Sequence, residues 1–196
     1  MKKFIQLVLR RWKLTLGILA AVGLFSVSVG ISGAYVLAYT STEAFCVGCH
    51  EMSYTYAEYK GTVHDTNRTG VRAICTDCHV PHEPGPLLLA KIKASRDLYY
   101  TYINPTIDTQ EKFEARRSFL AQRVWKDMKE SDSHECRSCH RADKMNPELQ
   151  SDRAKARHAS AKKDGLTCIH CHFGIAHKEP EGPGPRELFP PAPKKL

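Results

Sequence analysis

The chain repeats one short pattern four times, as Cys46-Val47-Gly48-Cys49-His50, Cys75-Thr76-Asp77-Cys78-His79, Cys136-Arg137-Ser138-Cys139-His140 and Cys168-Ile169-His170-Cys171-His172. These motifs use all 8 cysteines of the 196 residues. Neither a disulfide framework nor a zinc site needs a histidine directly after every second cysteine. Covalent haem attachment does, because two thiols form thioethers with the porphyrin and the adjacent histidine coordinates the iron. The spacing therefore predicts four covalently bound c-type haems, with the motif histidines as iron ligands.

A second set of histidines can supply the other axial ligands of these haems. The first cysteines of successive motifs lie 29, 61 and 32 residues apart, which indicates two dihaem halves joined by a longer insert. In each half, one further histidine precedes the second motif and another follows it. This repeat nominates four distal ligands, since imidazole is a common ligand of haem iron: His64, His82, His158 and His177. His134 and His170 have no counterparts, so we expect surface or hydrogen-bonding roles for them.

The first motif differs from the others because Met52 follows its histidine by two residues. A thioether sulfur is a competent axial ligand for haem iron. Met52 is therefore a candidate to replace His50, or to leave this haem with a weak or open sixth position. The alternative is that Met52 packs on the porphyrin as a flexible apolar side chain.

The N-terminal region has the composition of a membrane anchor. Five basic residues lie among residues 1–13, and residues 14–42 carry no charge. A run of this length predicts one transmembrane helix, and the basic flank predicts a cytoplasmic N-terminus with the rest of the chain exported. A cleaved secretory signal is the alternative, but its apolar region is shorter, and Tyr35 and Tyr39 suit the interfacial belt of a retained anchor. Six residues separate Tyr39 from Cys46, so we expect the first haem at the membrane surface.

The charge of the exported part excludes a nucleic-acid partner. The whole chain carries a formal charge of +8, but five of its positive charges belong to residues 1–13. The propionates of four haems would offset the small excess that remains. No nucleic-acid-binding motif accompanies it.

Two helices are predicted between the second and third motifs. Pro84-Gly85-Pro86 is expected to break the chain before a helix over residues 87–102, whose basic and aromatic side chains suit the bilayer interface. A second helix is predicted over residues 109–130, covering haems with one face and presenting five basic residues on the other: Arg116, Arg117, Arg123, Lys126 and Lys129. We expect these five to be solvated or paired with propionates.

The expected fold is mainly α with much irregular structure, because four haems leave little room for a sheet. The domains predicted are a cytoplasmic basic N-terminus (1–13), a transmembrane anchor (14–42), a periplasmic tetrahaem cytochrome c domain of two dihaem halves (43–180) and a proline-rich tail (181–196), extended or disordered.

The pattern as a whole resembles the NapC/NirT family of membrane-anchored tetrahaem cytochromes c. The resemblance rests on the anchor, the paired motifs, Met52 after the first motif, and the strings Cys75-Thr-Asp-Cys-His-Val-Pro-His82 and Ser95-Arg-Asp-Leu-Tyr99. It covers residues from about 1 to 180. Within the family, the charged insert and the proline-rich tail are most like the nitrate-reductase branch, NapC.

The resemblance implies a quinol dehydrogenase of the bacterial inner membrane, which passes electrons from membrane menaquinol or ubiquinol to a periplasmic reductase, nitrate reductase first among them. It implies that quinol reacts beside the first haem, with Asp97 as proton acceptor and Lys91 hydrogen-bonding a quinone oxygen or Asp97 itself. It also places distal ligands at the four histidines that the repeat nominates. Family members differ in which distal histidine serves which haem, and in whether the first iron takes His50 or Met52.

Other functions compatible with the sequence differ in the partner or in the chemistry. The chain could serve as a general electron hub, or as donor to a nitrite or trimethylamine-oxide reductase. A terminal reductase would bind its own substrate at an open first haem. A storage protein would exchange electrons with proteins alone and ignore quinols. A homo-oligomer is also compatible with the sequence.

Overall fold

A computed structural model describes residues 1–190, with the backbone alone for residues 2–4 and 7–9. The chain divides into two compact units, Met1–Thr42 and Glu43–Leu196. The α-helices are α1 (Lys2–Tyr39), α2 (Glu43–Cys46), α3 (Met52–Tyr59), α4 (Cys75–His79), α5 (Pro84–Tyr102), α6 (Gln110–Glu130), α7 (His134–Cys139), α8 (Asp152–Asp164) and α9 (Pro185–Leu188). Short 3-10 helices span Ala142–Lys144, Pro147–Leu149 and Cys168–His170. Residues 1–190 contain no β-strand, so the expected mainly helical fold is confirmed.

The first unit consists of α1 and its C-terminal cap. Its segment Arg10–Tyr39 contains an 18-residue stretch with a mean hydropathy of 2.2. Among the described residues, α1 is the one helix that is long and apolar enough to cross a bilayer. The helix ends three residues before the predicted limit at residue 42. The hydroxyl of Ser41 donates to the Leu37 carbonyl at 2.8 Å and that of Thr42 to the Tyr39 carbonyl at 2.8 Å. These bonds give further donors to carbonyls at the end of the helix, since Tyr39 also accepts from the Thr42 amide at 3.1 Å and Leu37 from the Thr40 hydroxyl at 3.3 Å.

The two long helices of the second unit begin where proline and threonine permit. The expectation of a break at Pro84-Gly85-Pro86 is wrong by one turn, because α5 begins at Pro84. Proline is tolerated in a first helical turn, where the amide it lacks would have no intrahelical partner. The predicted start of α6 is confirmed: the side chain of Thr109 caps the helix by accepting from the Lys112 amide at 3.3 Å.

Helix α6 carries three of the buried residues of the second unit, Phe113, Arg117 and Trp125. It packs against the 3-10 helix Cys168–His170 and against α9. Its Trp125 is buried and meets the ring of Phe173 edge-on, with centroids 5.4 Å apart. Among the described residues, the large apolar side chains that are buried are Tyr59, Phe113, Trp125, Leu166 and Ile169. Five such side chains make a small apolar core for a unit of this length.

The tail is more ordered than its composition predicts. Residues 185–188 form α9, and Pro185 is fully buried. The carbonyl of Phe189 accepts a hydrogen bond from His170 Nε2 at 3.1 Å. The expectation of an extended or disordered tail is therefore wrong for this stretch, because burial and a hydrogen bond both hold it. Residues 191–196, the remainder of that predicted tail, lie outside the described residues.

Candidate haem-binding centres

Each of the four motifs lies on a short helix or on the turn that follows one. Cys46 ends α2, and α4, α7 and the 3-10 helix at Cys168 carry the other three. In the first motif, a side chain at Gly48 would approach the Phe45 carbonyl to 3.2 Å, so the tight turn there favours glycine. None of the eight cysteines forms a disulfide. Each pair of cysteines and its histidine therefore lie within five consecutive residues on or beside one short helix.

Consecutive motifs are neighbours in space. The thiol of Cys75 hydrogen-bonds to Cys46, and Cys136 bonds in the same way to Cys168. Cys78 and Cys139 lie close enough to interact electrostatically. The first motif therefore adjoins the second, the second the third, and the third the fourth.

A buried hydrogen bond fixes the junction of the third and fourth motifs. Ser133 is fully buried, and its hydroxyl accepts from the Ile169 amide at 3.2 Å. Its backbone has φ of 52°, and that of Asp132 has φ of 54°, which is the left-handed region that few side chains adopt. This strained corner directs Ser133 towards the fourth motif.

Helix α5 brings one positive charge to the first motif. The pKa of Cys46 is lowered to about 6, mainly by the hydrogen bond with Cys75 and further by the charge of Lys91, against the opposing effect of burial. Lys91 is half-buried, whereas Asp97 is exposed. An α-helix turns by about 100° per residue, so these two positions lie about 120° apart around α5. The structure therefore brings Lys91 to the first motif and directs Asp97 to a different side of the helix.

Three motif histidines each face one of the nominated distal histidines. The ring centroids of His79 and His177 lie 6.1 Å apart. Those of His64 and His140 lie 6.0 Å apart, and those of His158 and His172 lie 6.2 Å apart. Two imidazoles on opposite sides of one iron, each nitrogen about 2 Å from the metal, have centroids about 6 Å apart. The three pairs therefore have the spacing that an iron between two imidazoles requires.

The pairs do not respect the two halves of the sequence repeat. His64 precedes the second motif but faces His140 of the third, while His177 follows the fourth motif but faces His79 of the second. Only His158 faces a motif histidine of its own half. The repeat thus identifies three residues that face motif histidines, and the fold exchanges two of them between halves.

Local contacts orient the distal rings. His177 Nδ1 lies 3.2 Å from the Thr55 carbonyl, and since a carbonyl can only accept, Nδ1 carries the hydrogen and leaves Nε2 available to a metal. His158 Nδ1 lies 2.8 Å from the side-chain oxygen of Gln150, with the same consequence. His64 Nδ1 is buried and has no hydrogen-bond partner in the described structure. The loop that carries His64 is held by Tyr59, whose hydroxyl lies 3.0 Å from the His64 carbonyl.

The pKa values of both histidines in the His79–His177 pair are lowered. The surrounding protein and the adjacent His177 ring lower the pKa of His79 to about 4, although His79 is an exposed residue by its surface area. Burial also lowers the pKa of His177. Both rings are therefore neutral near pH 7, which is the form that binds iron.

The first motif has a different environment. No ring contact joins His50 or His82 to another histidine within residues 1–190, and Met52 is 38% exposed at the start of α3. Beside His50, the side chain of Glu51 is 3% exposed, and its Oε2 lies 3.5 Å from His50 Nδ1 with no hydrogen-bond partner in the described structure. Sequence reasoning missed this buried carboxylate, because no pattern marks it.

The sequence-based prediction is also wrong for one arginine, which is buried. Arg117 was expected among solvated or propionate-bound residues, but it is 7% exposed and forms ion pairs with Glu58 at 2.5 Å and Glu114 at 2.7 Å. Glu58 is 59 positions away, so no local pattern could have indicated the contact. Among the two histidines outside the repeat, His134 Nε2 contacts Glu83 at 2.6 Å, and His170 is buried with both ring nitrogens in hydrogen bonds.

These observations fit four covalently bound haems. The thiols and motif histidines have the required spacing, three distal imidazoles stand at the right distance, and the small apolar core is of the kind that large apolar porphyrins complete.

Comparison with known proteins places the chain in a family. The family model described as "NapC/NirT cytochrome c family, N-terminal region" matches residues 9–182. This chain belongs to the NapC/NirT cytochrome c family. The family bears out the expectation of covalently attached c-type haem and electron transport. No solved structure matches the chain significantly.

Several family members share about half of their residues with this chain. "Denitrification system component NirT" of Stutzerimonas stutzeri is 52% identical over 144 residues, covering 73% of this chain and 71% of NirT. "Cytochrome c-type protein NapC" of Escherichia coli K12 is 51% identical over 142 residues, covering 72% and 70%. "Cytochrome c-type protein TorC" of the same strain is 49% identical over 142 residues, covering 72% of this chain but only 36% of TorC. These identities are too similar to separate the branches.

Proposed function

We propose that this family member is a membrane-anchored tetrahaem quinol dehydrogenase, which oxidises quinol in the bilayer and passes the electrons to a periplasmic reductase. One observation carries the proposal: three motifs have a facing imidazole and the first, which follows the apolar helix directly in sequence, has none within the described residues. A coordinatively distinct haem next to the membrane is where a donor dissolved in the bilayer would react.

The proposed ligand sets follow from the pairs. Three haems would be held by His79 with His177, His140 with His64, and His172 with His158. The first haem would be held by Cys46 and Cys49, with His50 or Met52 as an axial ligand. When bound, these haems supply one-electron storage and transfer. His82 has no ligand role in this proposal.

Helices α1 and α5 each have features that suit a membrane. We propose that α1 spans the bacterial inner membrane with its N-terminus in the cytoplasm, as its basic flank predicts. On α5, the exposed fractions of Leu88, Ile92 and Tyr99 are 50%, 59% and 50%, and all three lie on one side of the helix. An outward apolar stripe on a helix with basic residues is typical of segments that lie in the bilayer interface. A quinol could then approach the first motif from the lipid along α5.

Quinol oxidation releases two electrons and two protons, so the site needs a group that positions the quinol oxygen and one that accepts a proton. Lys91 suits the first role because its charge lies near Cys46. Asp97 suits the second role as a carboxylate exposed on α5, from which the proton can pass to water. The two residues would thus act in succession rather than as one hydrogen-bonded pair.

The spatial order of the motifs supports a single route for electrons. Because each motif adjoins the next, the chain offers a continuous series of attachment points from the first motif to the fourth. We propose that the end near the fourth motif meets the periplasmic reductase. Nitrate reductase is the partner we favour, because the charged insert and the proline-rich tail are most like NapC.

A second candidate function is a terminal reductase. The observation that favours it is again the first motif, whose histidine faces no imidazole in the described structure. Such a protein would turn over nitrite or hydroxylamine without a partner enzyme.

The test is anaerobic stopped-flow absorbance on the full-length holoprotein in lipid nanodiscs. Menaquinol and ubiquinol analogues are added separately, and the reduced c-haem bands are followed against dithionite as the full-reduction standard. The proposal predicts rapid reduction by at least one quinol, and re-oxidation when periplasmic nitrate reductase and nitrate are added.

Failure would take one of two forms. If dithionite reduces the protein and neither quinol does, the quinol dehydrogenase proposal is wrong. If the reduced protein turns over nitrite or hydroxylamine by itself, the terminal reductase replaces it.

A further inference from the structure

The stretch that carries His177 has no regular secondary structure of its own. Residues 172–180 form neither helix nor strand, yet the His177 ring lies 6.1 Å from that of His79. A side chain in an irregular segment samples many orientations unless other contacts restrict the backbone. Something outside the segment must therefore hold it.

Three hydrogen bonds tie this segment to α3 and α6. His177 Nδ1 donates to the Thr55 carbonyl at 3.2 Å, and the Lys178 amide donates to Glu58 Oε2 at 3.0 Å. The Lys178 carbonyl accepts from Arg117 Nη1 at 3.2 Å. Both polar groups of the Lys178 backbone are thus bound, directly after the proposed ligand.

The two side chains that bind Lys178 also bind each other. Arg117 Nη1 and Nη2 lie 2.9 and 2.5 Å from the two carboxylate oxygens of Glu58. Nε and Nη2 of the same guanidinium donate to the two carboxylate oxygens of Glu114 at 2.7 and 2.8 Å. The Arg117 side chain is 9% exposed, and its guanidinium lies 4.7 Å from the centre of the Phe113 ring. A bidentate pair in such a setting has one geometry, and it cannot be replaced by lysine.

From this network we infer that Arg117 and Glu58 are positioning residues, which hold Lys178 so that His177 stays on the iron of the second haem opposite His79. The inference rests on the proposed ligand sets. Neither residue touches the haem in this account; each acts through the backbone that follows the ligand. This role distinguishes them from a purely structural ion pair, which would change stability and leave iron ligation unaltered.

The experiment compares four single variants of the full-length holoprotein in detergent: Glu58→Gln, Arg117→Gln, His177→Ala and Lys126→Gln. Glu58→Gln preserves size and is the milder change, in case Arg117→Gln folds poorly. Lys126→Gln is the matched control, because it removes an exposed ion pair of the same helix, at 3.9 Å from Glu130. Haem content, the ferric electron paramagnetic resonance spectrum and the potentiometric titration are measured for each.

The expected result is that all four variants keep four haems per chain. Relative to the parent protein, His177→Ala converts one haem in four from low-spin to high-spin. Glu58→Gln and Arg117→Gln convert a fraction of that same haem, shift its potential in the same direction, and return to low spin when free imidazole is added. Lys126→Gln matches the parent.

Two results would overturn the inference, and they differ. If His177→Ala loses a low-spin haem but Glu58→Gln and Arg117→Gln both match the parent, the positioning role is wrong and the ligand set stands. If His177→Ala leaves every haem unchanged, the ligand assignment fails and the positioning role fails with it. Neither result concerns quinol oxidation, which the stopped-flow assay tests separately.

Discussion

The first motif and the other three share the same cysteine and histidine pattern but differ in what surrounds it. His79, His140 and His172 each face a second imidazole, at centroid distances of 6.1, 6.0 and 6.2 Å. His50 has instead a buried carboxylate at 3.5 Å and a partly exposed methionine two residues on. The attachment pattern therefore determines where a haem is bound, while the surrounding chain determines what that haem can do.

The first centre and the other three also differ in which parts of the chain supply them. The three paired centres draw their distal ligands from loops and from α8, across both halves of the sequence, so they depend on one another for assembly. The first centre lies among α2, α3, the half-buried Lys91 of α5 and the Cys75 thiol of the second motif, and no distal histidine links it to the other centres. We expect it to be altered by mutation with less effect on the others.

The largest expected effect comes from removing one haem at either end of the series. A Cys46→Ser and Cys49→Ser double variant should keep three haems that dithionite reduces, but lose quinol-driven reduction by at least about a hundredfold, since the group that reacts with quinol is gone. Stopped-flow absorbance measures the rate.

The matched double variant Cys168→Ser and Cys171→Ser should still accept electrons from quinol and fail to pass them to the reductase. If both double variants lose quinol-driven reduction equally, the first haem is not the place where quinol reacts.

The next effect separates paired from unpaired distal histidines. His64→Ala should convert one of the four haems to high spin, because His140 then loses the imidazole that it faces. His82→Ala is the control and should leave all ligation unchanged. Ferric electron paramagnetic resonance distinguishes them, and a high-spin haem in the His82 variant would restore His82 as a ligand.

How much of this could be predicted from sequence depends on the range of the interaction. The motifs, the anchor and the start of α6 follow from local spacing, charge and capping. Three of the four nominated distal histidines face motif histidines, and these three could be predicted because they recur at matching positions in the repeat. Which histidine each one faces could not be predicted, since the pairs join positions up to 98 residues apart through irregular loops. The ion pair of Arg117 with Glu58 and the ordered stretch around Pro185 could not be predicted for the same reason, since both depend on contacts between distant parts of the chain.

A smaller effect is expected at the proposed quinol site. Lys91→Gln removes a charged donor near Cys46, and loss of a hydrogen bond from a charged group costs about 1.5–3 kcal/mol, or roughly a 10- to 100-fold fall in quinol oxidation. Lys93→Gln, two residues along the same helix and exposed, is the control. Equal rates in the two variants would remove Lys91 from the site.

Asp97→Asn is expected to slow quinol oxidation by less than Lys91→Gln, by about threefold to tenfold, with all four haems attached. The effect is limited because water can replace an exposed carboxylate as proton acceptor. The pH dependence of the quinol-driven rate, with haem content as control, checks this. An unchanged rate and pH profile would exclude Asp97 from the mechanism.

The smallest effect lies far from the first centre. Ser133→Ala leaves the buried Ile169 amide without its acceptor, which should lower the free energy of unfolding by about 1–3 kcal/mol. Denaturant unfolding followed at the haem bands measures it. Ser131→Ala, at an exposed position two residues before Ser133, is the control. The quinol-driven rate should be unchanged in both variants.

The claim that one centre differs from three is tested most directly by near-infrared magnetic circular dichroism of the fully ferric holoprotein. The charge-transfer bands report the axial ligands of each low-spin haem and are counted against total haem. The account predicts three bis-histidine haems and one haem of another ligation. Four bis-histidine haems would contradict it.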